Sequence, residues 1–409
     1  MEAVEAVWRA CRARDRDALD CAVAAVVAGE LDRRDESNEL DRRDESTALK
    51  DTALSLCCHQ GWLPGVELLV ARGATVDAPL LEGRTALYIS AAQGQVACVE
   101  YLLSNGGAQV DLCKDDGTSP LAAAALNGHA EVLSVLIAHG CDVNLADERG
   151  FTPLFAVAQN GNCALVGLLL SHGALPNLAN QNGFTPLYIS AGNGHDGVVS
   201  MLLNHGAELE QSISKNGVTP LYLACQNGRH VVVELLLSAG AAFDAVNKLG
   251  YTALHIAAQN GHDKCVRILL AAGARADTLH AATGTTPLFI ASQLGHERVV
   301  LCLLAHGAQV NLEDREGRTA LFYAAARGQE KVVRLLLSRR ARVDVTSSRG
   351  GGGGGGRSSS EGPLQVAVKF GHDRVVSLLL SHGAQAVCGS SSCGATKSCG
   401  AGELSDADK

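Results

Sequence analysis

The chain carries 14 His and 14 Cys, side chains that elsewhere bind metals or act as nucleophile and base. Their spacing argues against both uses here. Five His follow a Gly: His129, His195, His262, His296 and His372. Five more precede one: His139, His172, His205, His306 and His382. Each set occupies a recurring place in a pattern of about 33 residues. A metal site needs several ligands at one point, and a repeat of that length spreads them along a line. These His are expected to hydrogen-bond to loop backbone. Most Cys sit singly in apolar runs, as in VACVEYLL around Cys98 and DKCVRILL around Cys265. In a reducing compartment such Cys act as small hydrophobes. The alternative is a disulfide framework, which a secreted chain of this length rarely needs. Cys388, Cys393 and Cys399 form no Cys-x-x-Cys pair and no His follows them. Nucleophile elbow, metal-binding helix and dinucleotide motifs are absent. The expectation is no catalysis, no cofactor and no metal.

Composition sets the frame that must position these residues. Apolar residues make up 47% of 409, so a large core can be buried. Only 4% are aromatic, so that core is built from small aliphatics. The net charge of −9 argues against a nucleic-acid partner. No run of about 18 uncharged apolar residues exists, so no membrane span is expected. The start, MEAVEAVWRACRARDRD, lacks a basic region followed by an apolar one. A cytoplasmic or nuclear location follows as an expectation.

Internal repetition decides the fold. A Thr-Pro-Leu or Thr-Ala-Leu phrase begins at Thr52, Thr85, Thr152, Thr185, Thr219, Thr252, Thr286 and Thr319, with Ser-Pro-Leu at Ser119. Successive copies are 33 or 34 residues apart, and a tenth, Gly-Pro-Leu, follows at Gly362 after 43. Repeat four, residues 147–179, shows the plan. Asp147 to Gly150 reads as a turn. Thr152 caps a helix and Pro153 suits its first position. That helix stops at Asn160-Gly161. A second, Ala164 to Ser171, carries the Leu168-Leu169-Leu170 run and ends at His172-Gly173. Small Ala on the first helix lets neighbours approach, and Leu and Val on the second fill the space between helices.

This pattern resembles the ankyrin repeat: a turn, a Thr-Pro-Leu-His-like helix start, an Asn-Gly-His corner, a Leu-rich helix and Gly-Ala. The resemblance covers about residues 48–385. It implies an all-α solenoid of helix-turn-helix units joined by β-turn or hairpin loops, about ten repeats long, with an N-terminal capping helix pair. The corner Gly stands in all ten repeats; the Gly of Gly-Ala stands in nine, with Arg340 in the other.

The segments outside the pattern give the expected boundaries. Residues 1–30 read as the capping pair, two helices over Glu2–Ala13 and Arg16–Ala28, because solenoid ends need a polar outer face. Residues 31–47 contain LDRRDES twice, a charged tandem that reads as a linker or a solvated helix extension. Repeats one to nine span 48–346. Residues 347–361 hold seven consecutive Gly flanked by Ser, without the Gly-Lys-Ser/Thr of a phosphate loop, and read as a flexible insertion. Residues 362–385 form the C-terminal repeat or cap. Residues 386–409, rich in Ser, Gly and Ala, read as a disordered tail.

The expected function is recognition by a monomer. The resemblance implies that turn tips and the exposed side of the first helices line a concave face that contacts partners. The residue before the Thr of repeats four to seven is Phe151, Phe184, Val218 or Tyr251. Near them stand Arg149, Lys215 and Lys248 at the tips, and Gln159, Gln226 and Gln259 late in the first helices. This reads as a mildly basic groove with aromatic anchors and polar adaptors for a protein or peptide. Equally open is that the rings stack between adjacent turns and only stabilise them. A second set, Tyr88, Phe155, Tyr188, Tyr222, Phe289 and Phe322, fills the slot where only His255 keeps the His of the resembled family; these rings are expected to pack between repeats. The main expectation is a non-catalytic scaffold. The alternative is a substrate-recruiting adaptor of a larger enzyme complex, such as a ubiquitin ligase, which needs a docking segment outside the repeats.

Overall fold

The computed structural model describes residues 2–31, 45–210, 216–345 and 361–385, with side chains from 5–24 and from 52 onward within those ranges. Lys215, most of the charged tandem, the glycine run and the tail lie outside the described residues. The chain divides into two compact parts, residues 1–282 and 283–409.

Within each part the architecture is a series of short helix pairs. The N-terminal pair is Glu2–Ala13 and Arg16–Leu31; the second helix runs three residues beyond the sequence reading. Repeat one follows as Glu45–Gln60 and Leu63–Ala71. From repeat two onward, first helices have seven or eight residues and second helices nine. In repeat four they are Pro153–Asn160 and Cys163–Ser171. Inside each part, first helices pack on neighbouring first helices and second on second, with each pair also packed on itself. Among the described residues the turns hold no extended strand, only a single bridge between Val246 and Thr252.

Local chemistry explains these lengths. The Thr152 hydroxyl accepts a hydrogen bond from the Phe155 amide at 3.2 Å, satisfying one of the helix's orphan donors. Thr85, Ser119, Thr185, Thr219 and Thr252 cap in the same way. The first helix of repeat four ends at Gly161, whose φ of +76° is left-handed. Leu154, Ala158, Leu165, Val166 and Leu169 are buried, so a core of small aliphatics lies between the two helices.

The corner side chains join one repeat to the next. Nε2 of His195 lies 3.0 Å from the Gln159 carbonyl, and Nδ2 of Asn193 donates to the same oxygen at 3.0 Å. A carbonyl only accepts, so His195 donates from Nε2. His129 reaches Ala92 at 3.1 Å, His262 reaches Gln226 at 3.0 Å, and His372 reaches Ala326 at 3.2 Å. The free carbonyls at the end of one first helix are thus satisfied by the following repeat. Arg229 and Gln329 stand at the His position in their repeats and make the same kind of bond, to Gly192 and Gln293. These bonds are inter-repeat rather than local to the loop, which differs from the sequence expectation. The second-corner His does stay local: Nδ1 of His139, His172, His205, His306 and His382 each bonds the carbonyl four residues back, at 2.8 to 2.9 Å.

Described Cys fall largely in the core. Cys11, Cys57, Cys58, Cys98, Cys141, Cys225 and Cys265 are buried. Burial pushes the thiol of Cys58 up to about 12 and that of Cys98 up to about 11. At neutral pH these two are uncharged hydrophobes. Sγ of Cys11, in the N-terminal pair, lies 3.7 Å from Sγ of Cys57 in repeat one. Among the described residues no three His, Cys, Asp or Glu gather where a metal ion would sit, and no helix is long and apolar enough to cross a membrane.

Candidate protein interaction surface

The turn tips are held from within by one recurrent device. In repeat four, Oδ1 of Asp147 accepts the amides of Arg149 at 3.0 Å and Phe151 at 2.8 Å. Asn180 does the same for Asn182 and Phe184, and Asn247 for Leu249 and Tyr251. A short side-chain oxygen replaces the missing main-chain acceptor of a tight turn. Neighbouring tips are also joined. The Glu148 amide donates to the Asp116 carbonyl, Gln181 to Arg149, and Lys248 to Asn216, each at 2.9 Å. The residues at a tip are therefore positioned before any partner arrives.

Phe151, Phe184 and Tyr251 are half-buried. Each packs on the ring four residues later in its own repeat. Phe151 lies 4.8 Å from Phe155, Phe184 stacks on Tyr188 at 5.0 Å, and Tyr251 meets His255 edge-on at 5.8 Å. Tyr251 also stacks on His280 of the following turn at 4.2 Å. The rings therefore serve packing on one side while part of each stays open. In the second ring set, Phe155, Tyr222 and Phe289 are buried. Tyr88, Tyr188 and Phe322 are half-buried. His255 is fully buried and closes a capping box with Thr252.

The polar candidates do not all converge. Arg149 is exposed and its guanidinium sits 5.1 Å above the Phe151 ring, with Asp147 at 3.5 Å. Lys248 is exposed three tips further on. Gln159, Gln226 and Gln259 are exposed, but they stand at the far ends of their first helices. Six residues from Pro153 to Gln159 at 1.5 Å rise place that amide about 9 Å along the axis. The structure brings Arg149 and Phe151 together and leaves the Gln side chains as a separate row. Val218, in the same place as the rings, is half-buried.

Three exposed aliphatics were missed by the sequence reading. Val246, Leu249 and Leu279 lie close in sequence to Tyr251 and His280 and are 59%, 71% and 55% exposed. The available signal was Asn-Lys-Leu-Gly, with Leu249 inside a turn where a polar residue is usual. Beside them lies a cavity of about 580 Å³, lined by Phe243, Asp244, Thr252, Arg275, Asp277 and Leu279 among others.

Stacked helix-turn-helix units with left-handed corners and cross-repeat bonds define a helical repeat solenoid. The family profile for ankyrin repeats (three copies) matches residues 9–112, 106–180, 154–247, 209–280 and 254–348, and the single ankyrin repeat matches 361–388. The chain belongs to the ankyrin-repeat family. It is similar to the human ASB11 ankyrin repeat domain, with 28% identity over 55% of this chain and 99% of that one, at a TM-score of 0.49. No curated protein matches the chain. Ankyrin repeats are protein–protein interaction domains, typically without catalysis.

Proposed function

We propose that the chain is a non-catalytic scaffold that holds a protein or peptide partner on the turn tips and first helices of repeats four to seven. The observation that supports this best is the group of exposed aliphatics, Val246, Leu249 and Leu279, with Leu249 on a turn that the Asn247 side chain brackets. Large apolar groups fixed in water lose less entropy when covered than mobile ones do, and covering them removes apolar area from solvent. The open faces of Phe151, Phe184 and Tyr251 extend this apolar strip. Arg149 and Lys248 set charge at its edge. Gln159, Gln226 and Gln259 supply neutral donors and acceptors. Lys215 joins this set on its place in the sequence alone.

The test pairs two variants of the full chain. Leu249→Glu with Leu279→Glu changes only exposed side chains and should leave the helical circular dichroism unchanged. Affinity purification with mass spectrometry should then lose the main partner. Phe151→Ala with Phe184→Ala and Tyr251→Ala should lose the same partner, once helical content is checked. A partner list unchanged in both variants removes this surface from the reading.

A further inference from the structure

Repeat nine breaks the rule of the second corner. The other nine repeats have Gly at this corner, followed by Ala in eight and by Cys141 in repeat three, whereas repeat nine reads Arg339-Arg340. Arg340 nevertheless takes the glycine conformation, with φ +64°. The scaffold enforces it. Asn311, from the preceding repeat, donates from Nδ2 to the Arg340 carbonyl at 3.3 Å and accepts the Arg342 amide at 2.8 Å. Asn144 holds Gly173 and Leu175 with the same two bonds. The corner is thus ordinary in shape, and its arginine side chains are the novelty. A residue kept in a disfavoured conformation by its surroundings points to a use for its side chain.

These side chains have no evident structural duty. Arg339, Arg340 and Arg342 are exposed. None of the ion pairs among the described residues includes them, whereas Arg318, Lys331, Arg334, Lys369 and Arg374 each face a carboxylate. Arg340 and Arg342 instead line a cavity of about 570 Å³, together with Gln365, His382, Gln385 and one acidic residue, Asp344. The cavity suits one or two peptide side chains. Gln365 and Gln385 offer amide donors, and the guanidinium fork matches a carboxylate in two hydrogen bonds.

We propose that this corner binds an acidic peptide segment, with a Glu or Asp carboxylate received by Arg340 and Arg342 and a second met by Arg339. A nucleic acid fits less well. The chain carries a net charge of −9, and the three cations sit at one corner rather than in a stripe. The inference uses different residues from the tips of repeats four to seven, so its failure leaves the scaffold reading in place.

The test is fluorescence anisotropy of a fluorescein-labelled hexaglutamate peptide with the full chain. The wild type should bind, and binding should weaken as salt rises. Arg340→Gly restores the residue used in the other repeats, so it should raise the melting temperature while weakening the peptide. Adding Arg339→Ala and Arg342→Ala should weaken it by about tenfold or more. Arg334→Ala, whose guanidinium already pairs with Glu330, should leave affinity unchanged. Unchanged affinity in the triple variant, or tighter binding of a poly-thymidine oligonucleotide at the same residues, overturns the proposal.

Discussion

The two corners of a repeat carry the same left-handed glycine for different reasons. At the first corner of repeat four, a Cβ on Gly161 would sit 2.5 Å from Nδ1 of His195, the ring that ties repeat five to the Gln159 carbonyl. At the second corner, a Cβ on Gly173 would meet nothing within 4 Å. Gly161 is required by backbone geometry and by the neighbour leaning on it. Gly173 is required by backbone geometry alone. A corner of the first kind is part of the joint between repeats. A corner of the second kind is open, which is why repeat nine accommodates Arg340 there.

The largest expected effect separates the corners directly. Gly161→Ala combines left-handed strain with displacement of the His195 bond, and should lower unfolding free energy by about 2–3 kcal/mol. Gly173→Ala carries the strain alone, about 1 kcal/mol. Urea unfolding of the two variants checks this; equal losses would show that His195 does not constrain its neighbour's corner. His195→Ala should cost about 1–2 kcal/mol by leaving a carbonyl unmatched. Combined with Gly161→Ala it should cost less than the sum, because the crowding is gone.

A turn tip sharpens the contrast by adding charge. In repeat nine the bracket residue is Asp314, with its side chain fully buried. Burial pushes its carboxyl up, but bonds from the Tyr323 hydroxyl at 2.7 Å, the Arg318 amide at 2.9 Å and the Arg318 guanidinium at 2.9 Å outweigh this and hold it below the ordinary value. A depressed carboxyl stabilises fully above its unfolded value, about 4, and that contribution is lost as pH falls toward the folded value. Asp314→Asn should cost about 1–2 kcal/mol at pH 7 and progressively less as pH falls below about 4. The bracket in repeat seven is Asn247, which carries no charge, so Asn247→Ala should show a loss independent of pH over the same range. Parallel pH profiles for the two variants would break the distinction between charged and neutral brackets.

Helices and caps were legible because each is decided within a few residues: Thr152 caps Phe155, and Gly161 ends what Pro153 begins. The joints were not. His195 and Gln159 are 36 residues apart, and nothing in a single repeat names the acceptor. The signal lay in comparing repeats, since Gln95, Arg229 and Gln329 replace His with another long donor, although Trp62 and Asn162 do not. The tip rings were half legible. Their recurrence pointed to a shared role, but an i, i+4 pairing such as Phe184 on Tyr188 depends on how the turn enters the helix, which the side-chain bracket sets. Leu249 was passed over because a lone Leu in a turn carries no periodic signal.

The smallest effect tests whether the open corner is open everywhere. Gly173→Arg copies the repeat-nine residue into repeat four, where Asn144 already supplies both backbone bonds. It should cost only the left-handed strain, about 1 kcal/mol, the same as Gly173→Ala, because a Cβ there meets nothing within 4 Å and the rest of the side chain can extend into solvent. Arg340→Gly should return about the same amount in repeat nine. Equal and opposite shifts in urea unfolding would show that the second corner accepts a side chain of any length at fixed backbone cost. A much larger loss for Gly173→Arg than for Gly173→Ala would mean that repeat nine has made room for its arginines through changes elsewhere, and that its corner is not interchangeable with the rest.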